Sequence, residues 1–325
     1  MIQPTLKEYT EYKNTRYVNG SVLKAVLQGK NVHKSGAIND ALSSGSLVDA
    51  YLTMSDLVDD LFTVFNGEMP SDKVRQVVEL AFSFRANSER ITDHKDVLVR
   101  AARELEFDRN KTDDALATSI CDKAGAYWSF LYENVGTGKQ VVDEKTRSFA
   151  YEIAQKVLRD PVTGKYFAEW PGVASYSQRF LYGEIDGHPI KSTFDLLFVA
   201  KKKVTIVEIK TMYQLSLPLF FEQAKEHWYP GQVSYQREVA RQNFPSKEVE
   251  VRWMLIGKDI AGNAQVNIVR VPDVLMDMYE HGQHSRGITG WREIFPFALE
   301  ALESRTGAHN FHKRLLSEEE VLSYF

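Results

Sequence analysis

Two acidic residues and a lysine lie where they could do chemistry together. Positions 193–211 read TFDLLFVAKKKVTIVEIKT: Glu208 and Lys210 end an apolar strand, and Asp195 interrupts the strand before it. Because alternate side chains of a strand share a face, the Glu208 carboxylate and the Lys210 ammonium should lie side by side. Charges in apolar strands cost several kcal/mol unless they are paired or bind a cation, so the pattern indicates pairing or metal binding.

Two carboxylates beside one ammonium suit a divalent cation and a positioned water. Mg²⁺ takes oxygen ligands and keeps several waters, so Asp195, Glu208 and the backbone carbonyl of Ile209 would form a partial shell. The cation would neutralise a phosphate and lower the pKa of a bound water, which Lys210 would orient or help to deprotonate. This chemistry is phosphodiester hydrolysis. The alternative is a solvated Glu–Lys ion pair at a sheet edge, which contributes little to stability.

Periodicity assigns these residues to the second half of the chain. From residue 21 to 158, apolar residues recur at three- and four-residue spacings, as at Leu57, Leu61, Val64 and Phe65, and this predicts a mostly helical half. After Pro161 the period predicts three consecutive antiparallel strands, with turns after the first and second at Asp186-Gly187 and at Lys201-Lys202.

The rest of the chain continues this mixed pattern. Helical spacing returns from about residue 219 to 243, and two further strands follow at 249–257 and 265–271, joined by a Gly262-Asn263 turn. Helices close the chain, and Ser317 would cap a short tail helix. The run from Lys201 to Lys203 is interpreted as a solvated hairpin turn.

Composition limits the class of protein. The chain has 325 residues, of which 43% are apolar and 12% aromatic, enough to bury a sizeable core. Apolar runs are too short for a membrane span, and the first residues lack a signal pattern, so we expect a soluble cytoplasmic protein. A lone cysteine, Cys121, cannot form an internal disulfide or a cysteine-rich metal site. The net charge of -4 neither supports nor excludes DNA as a partner.

The order of the charged residues resembles a known nuclease superfamily. Asp195, then Glu208 and Lys210 across a hairpin that a helix follows, resemble the PD-(D/E)xK nucleases. In that helix, Gln232 and Tyr235 resemble the glutamine and tyrosine of RecB-type and RecE-type nucleases, and residues three apart share a helical face, so both could turn toward the cleft. The family has three residues between the two and this chain has two, so Gln236 is an alternative occupant of that face.

An upstream segment is similar to RecE-type phage exonucleases. NGSVLKAVLQGK followed by ALSSGSLVDAYLT matches the family at two short motifs, through Ser21, Leu23, Lys24, Ala41, Leu42 and Gly45. Asp49 stands where the family has a metal-binding histidine, and aspartate is also a ligand for a hard cation. The alternatives are a solvated helix residue for Asp49 and an amide buried between helix and sheet for Gln232.

The resemblance implies an α/β fold with a mixed central sheet, a catalytic hairpin, flanking helices and a helical amino-terminal half. Its domains would be a mainly helical part at 1–160 that packs on the core, a nuclease core at 161–305 and a tail helix at 306–325. Lys24, Arg237 and Arg241 would be placed to meet phosphates if the cleft binds DNA.

The implied activity is a Mg²⁺-dependent exonuclease, with Mn²⁺ as a substitute, that acts on duplex DNA ends in phage-type recombination or DNA processing. The alternatives are an endonuclease of restriction or repair type and an inactive DNA-binding protein with the same core. DNA is the expected partner. The resemblance also suggests a single-strand annealing protein as a partner and a homo-oligomeric ring as the assembly, and no membrane is expected.

Overall fold

The computed structural model describes residues 1–30, 32, 40–84, 88–134, 137, 139–258 and 264–304. The predicted tail helix and the Gly262-Asn263 turn lie outside these residues. The helices are α1 (Leu6–Asn14), α2 (Gly20–Leu27), α3 (Asp40–Thr53), α4 (Val58–Leu61), α5 (Asp72–Ser83), α6 (Lys95–Glu104), α7 (Asp113–Glu133), α8 (Glu144–Arg159), α9 (Leu217–Glu226), α10 (Tyr229–Asn243), α11 (Asp273–His281) and α12 (Trp291–Glu303). The strands are β1 (Phe62–Phe65), β2 (Gln140–Asp143), β3 (Ala174–Ile185), β4 (His188–Val199), β5 (Lys203–Gln214), β6 (Glu248–Lys258) and β7 (Ala264–Arg270).

The chain divides into two compact units. One contains Met1–Ser35, Leu52–Met54 and Gln155–Phe325, and we call it the sheet unit. The other contains Gly36–Tyr51 and Ser55–Ala154, and we call it the helical unit. The three-part division into domains expected from the sequence stays a prediction.

The sheet unit is built on a mixed five-stranded sheet in the order β3-β4-β5-β6-β7. Neighbouring strands are antiparallel except for β5 and β6, which are parallel. The first hairpin turns at Asp186 and Gly187, whose φ angles of 52° and 79° fit the turn type that an Asp-Gly pair favours. The predicted α/β fold class and the three consecutive antiparallel strands are confirmed.

The segment of helical spacing at 219–243 forms two helices. α9 ends at Glu226 and α10 begins at Tyr229, and Trp228 between them has a left-handed backbone with φ of 57°. Pro230 lies in the first turn of α10, where its missing N–H costs nothing.

Helix α10 forms the centre of the sheet unit's core. Its buried residues Val233, Tyr235 and Val239 belong to one apolar cluster with residues of α2, β4, β5 and α12. The hydroxyl of Ser234 donates to the carbonyl of Met276 at 2.6 Å and accepts from the indole N–H of Trp291 at 3.1 Å. These bonds tie α10 to α11 and α12 and fix which of its faces meets the sheet.

The helical unit contains a pair of short strands that the sequence did not predict. Val64 and Phe65 fit a helical period, but they belong to β1, which pairs in parallel with β2. Short strands of four residues carry too little alternation to be separated from a helical pattern. A second apolar core lies among α5, α6 and α7 and includes Val77, Leu98 and Trp128. Within the described part of the chain, every helix is too short or too polar to cross a membrane.

Candidate active site where two strands diverge

Strands β4 and β5 form a fork that holds two carboxylates. They pair over 196–199 and 204–207 and then separate. At the fork, the backbone N–H of Ile209 donates to Asp195 Oδ2 at 2.8 Å, and the backbone N–H of Asp195 approaches Glu208 Oε1 at 3.4 Å. Side-chain carboxylates therefore replace backbone carbonyls as acceptors, and this exchange places Asp195 and Glu208 next to each other.

The amino-terminal segment fills the open side of the fork. Val18 forms a parallel bridge with Ile190, and its carbonyl accepts the backbone N–H of Lys191 at 3.0 Å. Because the other edge of β4 pairs with β3, Val18 takes the place that β5 has left. The Tyr235 hydroxyl also donates to this carbonyl, at 2.8 Å. Tyr235 is thus fully buried and holds the segment around Val18 in place. Its hydroxyl bonds that backbone and not the carboxylates of the fork.

Asp195 has a further partner that the sequence did not reveal. Gln178 Nε2 donates to Asp195 Oδ1 at 3.1 Å, from a side chain that is 6% exposed. The ladder between β3 and β4 skips this position, and Gln178 has a left-handed backbone with φ of 43°. Such a φ is uncommon for a non-glycine residue and is characteristic of sites where the chain must aim a side chain. Only a run of polar residues in an otherwise apolar strand could have suggested Gln178.

Glu208 is the more deeply buried carboxylate, with 2% of its surface exposed. Its Oε1 accepts from Gln236 Nε2 at 2.7 Å, and its Oε2 lies 3.2 Å from Lys210 Nζ. Gln236 Nε2 also donates to the carbonyl of Thr193 at 2.8 Å, so one amide connects α10 to both strands of the fork. Gln236, which the sequence offered as an alternative to Tyr235 on this helix face, is the residue of α10 that bonds a carboxylate of the fork.

Two lysines share the ring of Tyr229, the first residue of α10. Lys210 Nζ lies 5.0 Å from the ring centroid and Lys24 Nζ lies 5.9 Å from it. Burial works to lower the pKa of Lys210, but Glu208 and Asp195 outweigh it and raise that pKa above its usual value. The pKa of Lys24 is lowered, first by burial and then by the charges of Lys30 and Lys210. The α2 lysine therefore belongs to the same electrostatic site as the carboxylates.

A third lysine anchors α1 beside the fork. Lys191 is 3% exposed, donates to the carbonyls of Tyr12 and Thr15, and lies 4.3 Å from the Tyr12 ring centroid. Burial lowers the pKa of Lys191 to about 8. Burial raises the pKa of Tyr12 to about 12; a hydrogen bond with Thr193 opposes the rise, and Tyr182 and Glu208 add to it. Tyr12 thus brings α1 into the electrostatic environment of Glu208.

The other predicted residues of α10 are placed differently. Gln232 is half-buried, and its Cγ would lie 3.3 Å from a β-carbon at Gly20. Arg237 is fully buried, and its guanidinium contacts three carboxylates, those of Asp273, Asp277 and Glu280. A guanidinium enclosed in this way cannot meet a phosphate, so this placement removes Arg237 from the DNA-contacting set. Arg241 is exposed in the last turn of α10.

Asp49 lies in α3, in the helical unit. Its role in a metal shell stays a prediction. The side chains of Ala41 and Leu42, which carry part of the upstream match, lie outside the described residues.

The donor set at the fork fits a hard cation. Asp195 and Glu208 offer carboxylate oxygens, and Oε1 of Gln236 is buried without a hydrogen-bond partner among the described residues. An unpaired buried acceptor next to a carboxylate suits a water that completes a cation's shell. The fit is limited to two carboxylates, because the described residues contain no group of three or more histidines, cysteines or acids arranged for a metal.

Comparison with known proteins adds little to this geometry. No family model and no curated protein matches the chain. Among solved structures, it is similar to the "Putative exonuclease" of Eubacterium rectale, with a TM-score of 0.47 and 15% identity over 99% of this chain and 94% of that one. It is less similar to SSO0001, with a TM-score of 0.23 and 13% identity over 75% of this chain and 100% of that one. For VC1899 from Vibrio cholerae the TM-score is 0.21 and the identity is 10%, over 85% of this chain and 59% of that one. Because all of these TM-scores are below 0.5, the site is interpreted from its own residues.

Proposed function

We propose that the protein is a metal-dependent deoxyribonuclease that degrades duplex DNA from its ends, in phage-type recombination or DNA processing. The observation that carries the proposal is the fork between β4 and β5, which places Asp195 beside Glu208 with the Lys210 ammonium 3.2 Å from a Glu208 oxygen. A buried glutamate, a partly buried aspartate and a partly buried lysine on adjacent strands form a polar group that a fold maintains at considerable cost. A hydrolytic site is a sufficient reason for such a group.

Asp195, Glu208 and the carbonyl of Ile209 would hold Mg²⁺ or Mn²⁺, which supplies charge neutralisation at the phosphate and a more acidic bound water. Lys210, whose pKa is raised by the two carboxylates, carries a proton at neutral pH and can orient a water by donating to it. Gln178 and Gln236 hold the two carboxylates in place and act as positioning residues.

DNA contacts are proposed for the residues that remain accessible around the fork. The Lys24 ammonium shares the Tyr229 ring with Lys210, so a phosphate bound there would lie close to the carboxylates. Arg241 would contact the backbone further along α10. Phosphate contacts of this kind position DNA without reading its sequence, as an end-degrading enzyme requires.

The decisive experiment compares three DNA substrates. Linear, nicked and closed circular DNA of one sequence are incubated with the protein in Mg²⁺, in Mn²⁺ and in EDTA. Degradation of linear DNA alone, in either metal and not in EDTA, supports the exonuclease. Cutting of closed circles would indicate the endonuclease, and binding without cleavage in any metal would indicate the inactive DNA-binding protein.

Matched variants test the residues. Asp195→Asn, Glu208→Gln and Lys210→Met should each reduce cleavage at least about 100-fold while DNA binding persists in EDTA. Glu222→Gln changes an exposed acid on α9 in the same way and should cleave like the wild type. Near-normal digestion by any of the three site variants would remove that residue from the site.

A further inference from the structure

A second pocket lies on the other face of the sheet. It has a volume of about 270 Å³ and is lined by Tyr166, Trp170, Phe198, Lys203, Thr205 and Arg252. Thr205 and Glu208 are three positions apart on β5, so their side chains point to opposite faces. The pocket is therefore separate from the fork and takes no part in the proposed hydrolysis.

One aromatic ring of the pocket is exposed and held in a fixed orientation. Trp170 is 44% exposed, and its indole N–H donates to the carbonyl of Lys165 at 2.7 Å. Its ring centroid lies 6.3 Å from that of Phe198, which is itself 6.0 Å from that of Tyr166. An exposed indole with its N–H already bonded offers a rigid apolar face on which a planar ring can stack.

Positive charge is concentrated beside this ring. The buried carboxylate of Glu250 lies 2.6 Å from Lys203, 2.5 Å from Arg252 and 3.7 Å from Arg270. The adjoining turn adds the exposed Lys201 and Lys202, and Lys247 Nζ bonds to the carbonyls of Ala200 and Lys201. We call these six cations the basic cluster: Lys201, Lys202, Lys203, Lys247, Arg252 and Arg270.

The basic cluster has more cations than its own carboxylates can neutralise. Among the described residues its ion-pair partners are Glu248 and Glu250, and even with the exposed Glu169 that precedes Trp170 the cations outnumber the carboxylates, in a chain whose net charge is -4. An excess of positive charge beside an exposed aromatic ring is complementary to a ligand that carries both phosphates and planar bases. That combination is the surface by which proteins hold single-stranded nucleic acid.

We propose that the pocket at Trp170 and the basic cluster bind single-stranded DNA, with one base stacked on Trp170 and its neighbouring phosphates against Lys201 and Lys202. This binding goes beyond the proposed nuclease function and does not require the fork to cut DNA. A duplex, whose bases are already stacked on each other, cannot use the Trp170 ring, so single strands should be preferred.

The test uses a fluorescent thymidine oligomer of about twelve nucleotides, a length that suits an aromatic and basic groove of this type. Fluorescence anisotropy in EDTA measures its affinity without cleavage. Trp170→Ala should weaken binding at least about fivefold, since stacking of one base contributes at least that factor. Trp170→Phe, which keeps a stacking face, should recover most of the affinity, and binding of a blunt duplex should change little in either variant.

The charge contribution has its own measurement. Lys201→Ser combined with Lys202→Ser should flatten the dependence of log affinity on log salt by about 1.4, because each phosphate contact to a single strand contributes about 0.7. Lys95→Ser combined with Lys123→Ser removes the same charge from exposed positions of the helical unit and should leave the slope unchanged.

Two results would overturn the inference: unchanged oligomer affinity in Trp170→Ala, or equal losses for Trp170→Ala and Trp170→Phe. Failure of the nuclease proposal would look different, because the wild type would not cleave any DNA in metal yet would still bind the oligomer through Trp170. Thermal unfolding of each variant separates a binding defect from a loss of fold.

Discussion

Replacing Gln236 by leucine tests whether the glutamine that bonds Glu208 sets up the site. Its Nε2 donates to Glu208 Oε1 at 2.7 Å and to the Thr193 carbonyl at 2.8 Å, from a side chain that is 3% exposed. Leucine keeps the approximate volume and offers no donor. A hydrogen bond to a charged group is worth about 1.5–3 kcal/mol, and a buried carbonyl left unpaired costs about 1–3 kcal/mol.

One effect opposes this loss. Oε1 of Gln236 is buried without a hydrogen-bond partner among the described residues, and leucine removes that unpaired acceptor. Allowing about 1 kcal/mol for the offset, we expect the unfolding free energy in EDTA to fall by about 3 kcal/mol. With an unfolding entropy of about 2.1 cal/mol/K per residue over 325 residues, such a loss lowers the melting temperature by roughly 4–5 °C. Cleavage in Mg²⁺ should fall at least about tenfold, because a misplaced Glu208 raises the activation free energy and each 1.4 kcal/mol of that increase slows the reaction by a factor of about ten.

Gln232→Leu is the matched control, because it makes the same change one turn earlier on α10. The Gln232 side chain is half-buried beside Gly20, so we expect its unfolding and cleavage to stay near those of the wild type. Thermal unfolding in EDTA and digestion of linear DNA in Mg²⁺ measure both variants. Wild-type unfolding and digestion by Gln236→Leu would refute the reasoning, and a defect confined to Gln232→Leu would assign the role to Gln232.

Three further outcomes follow from the same geometry. Gln178→Gly should keep the fold, because glycine adopts the φ of 43° easily, yet Asp195 loses a donor, so a titration of cleavage with Mg²⁺ should need a higher concentration than the wild type. Lys24→Gln should reduce the slope of log affinity against log salt for duplex binding by about 0.9. Arg241→Gln should have the same effect if α10 lines the DNA path. An unchanged slope in either variant would show that the substituted residue does not contact a phosphate. Burial lowers the pKa of Lys191 from 10.5 to about 8, so between these pH values the unfolded chain binds more protons than the folded chain. The unfolding free energy should therefore rise from pH 8 towards pH 10. In urea titrations, Lys191→Met should lack this rise.

Periodicity and turn chemistry predicted the sheet well because both are local. The Asp186-Gly187 turn and the alternation along β5 depend on residues that are near each other in the sequence. They were sufficient to predict the antiparallel strands and the shared face of Glu208 and Lys210. The helical prediction for Val64 and Phe65 was wrong because a strand of four residues is too short to show its own period.

The partners of the candidate site could not be predicted because they depend on long-range packing. Gln178 reaches Asp195 only because the β3–β4 ladder skips one position, and no local pattern indicates such a skip. Arg237 meets carboxylates 36 to 43 positions away on α11, so the sequence of α10 alone suggests an exposed cation where the structure has a buried one. Motif spacing pointed to Gln232 and Tyr235, whereas Gln236 bonds Glu208 and Tyr235 bonds the carbonyl of Val18.

The fork also explains why the amino-terminal segment belongs to the sheet unit. When β5 leaves β4, the backbone groups of β4 beyond Asp195 lose their partners on that side, and buried unpaired groups are costly. Val18 restores one bond by accepting the N–H of Lys191, and Tyr235 donates to the same carbonyl from below. The segment then starts α2 at Gly20, with Asn19 as its cap, and so carries Lys24 to the Tyr229 ring. The separation of β5 from β4 thus has two effects. It brings Asp195 and Glu208 together, and it leaves an open edge of β4 to which Val18, about 170 positions earlier in the chain, binds.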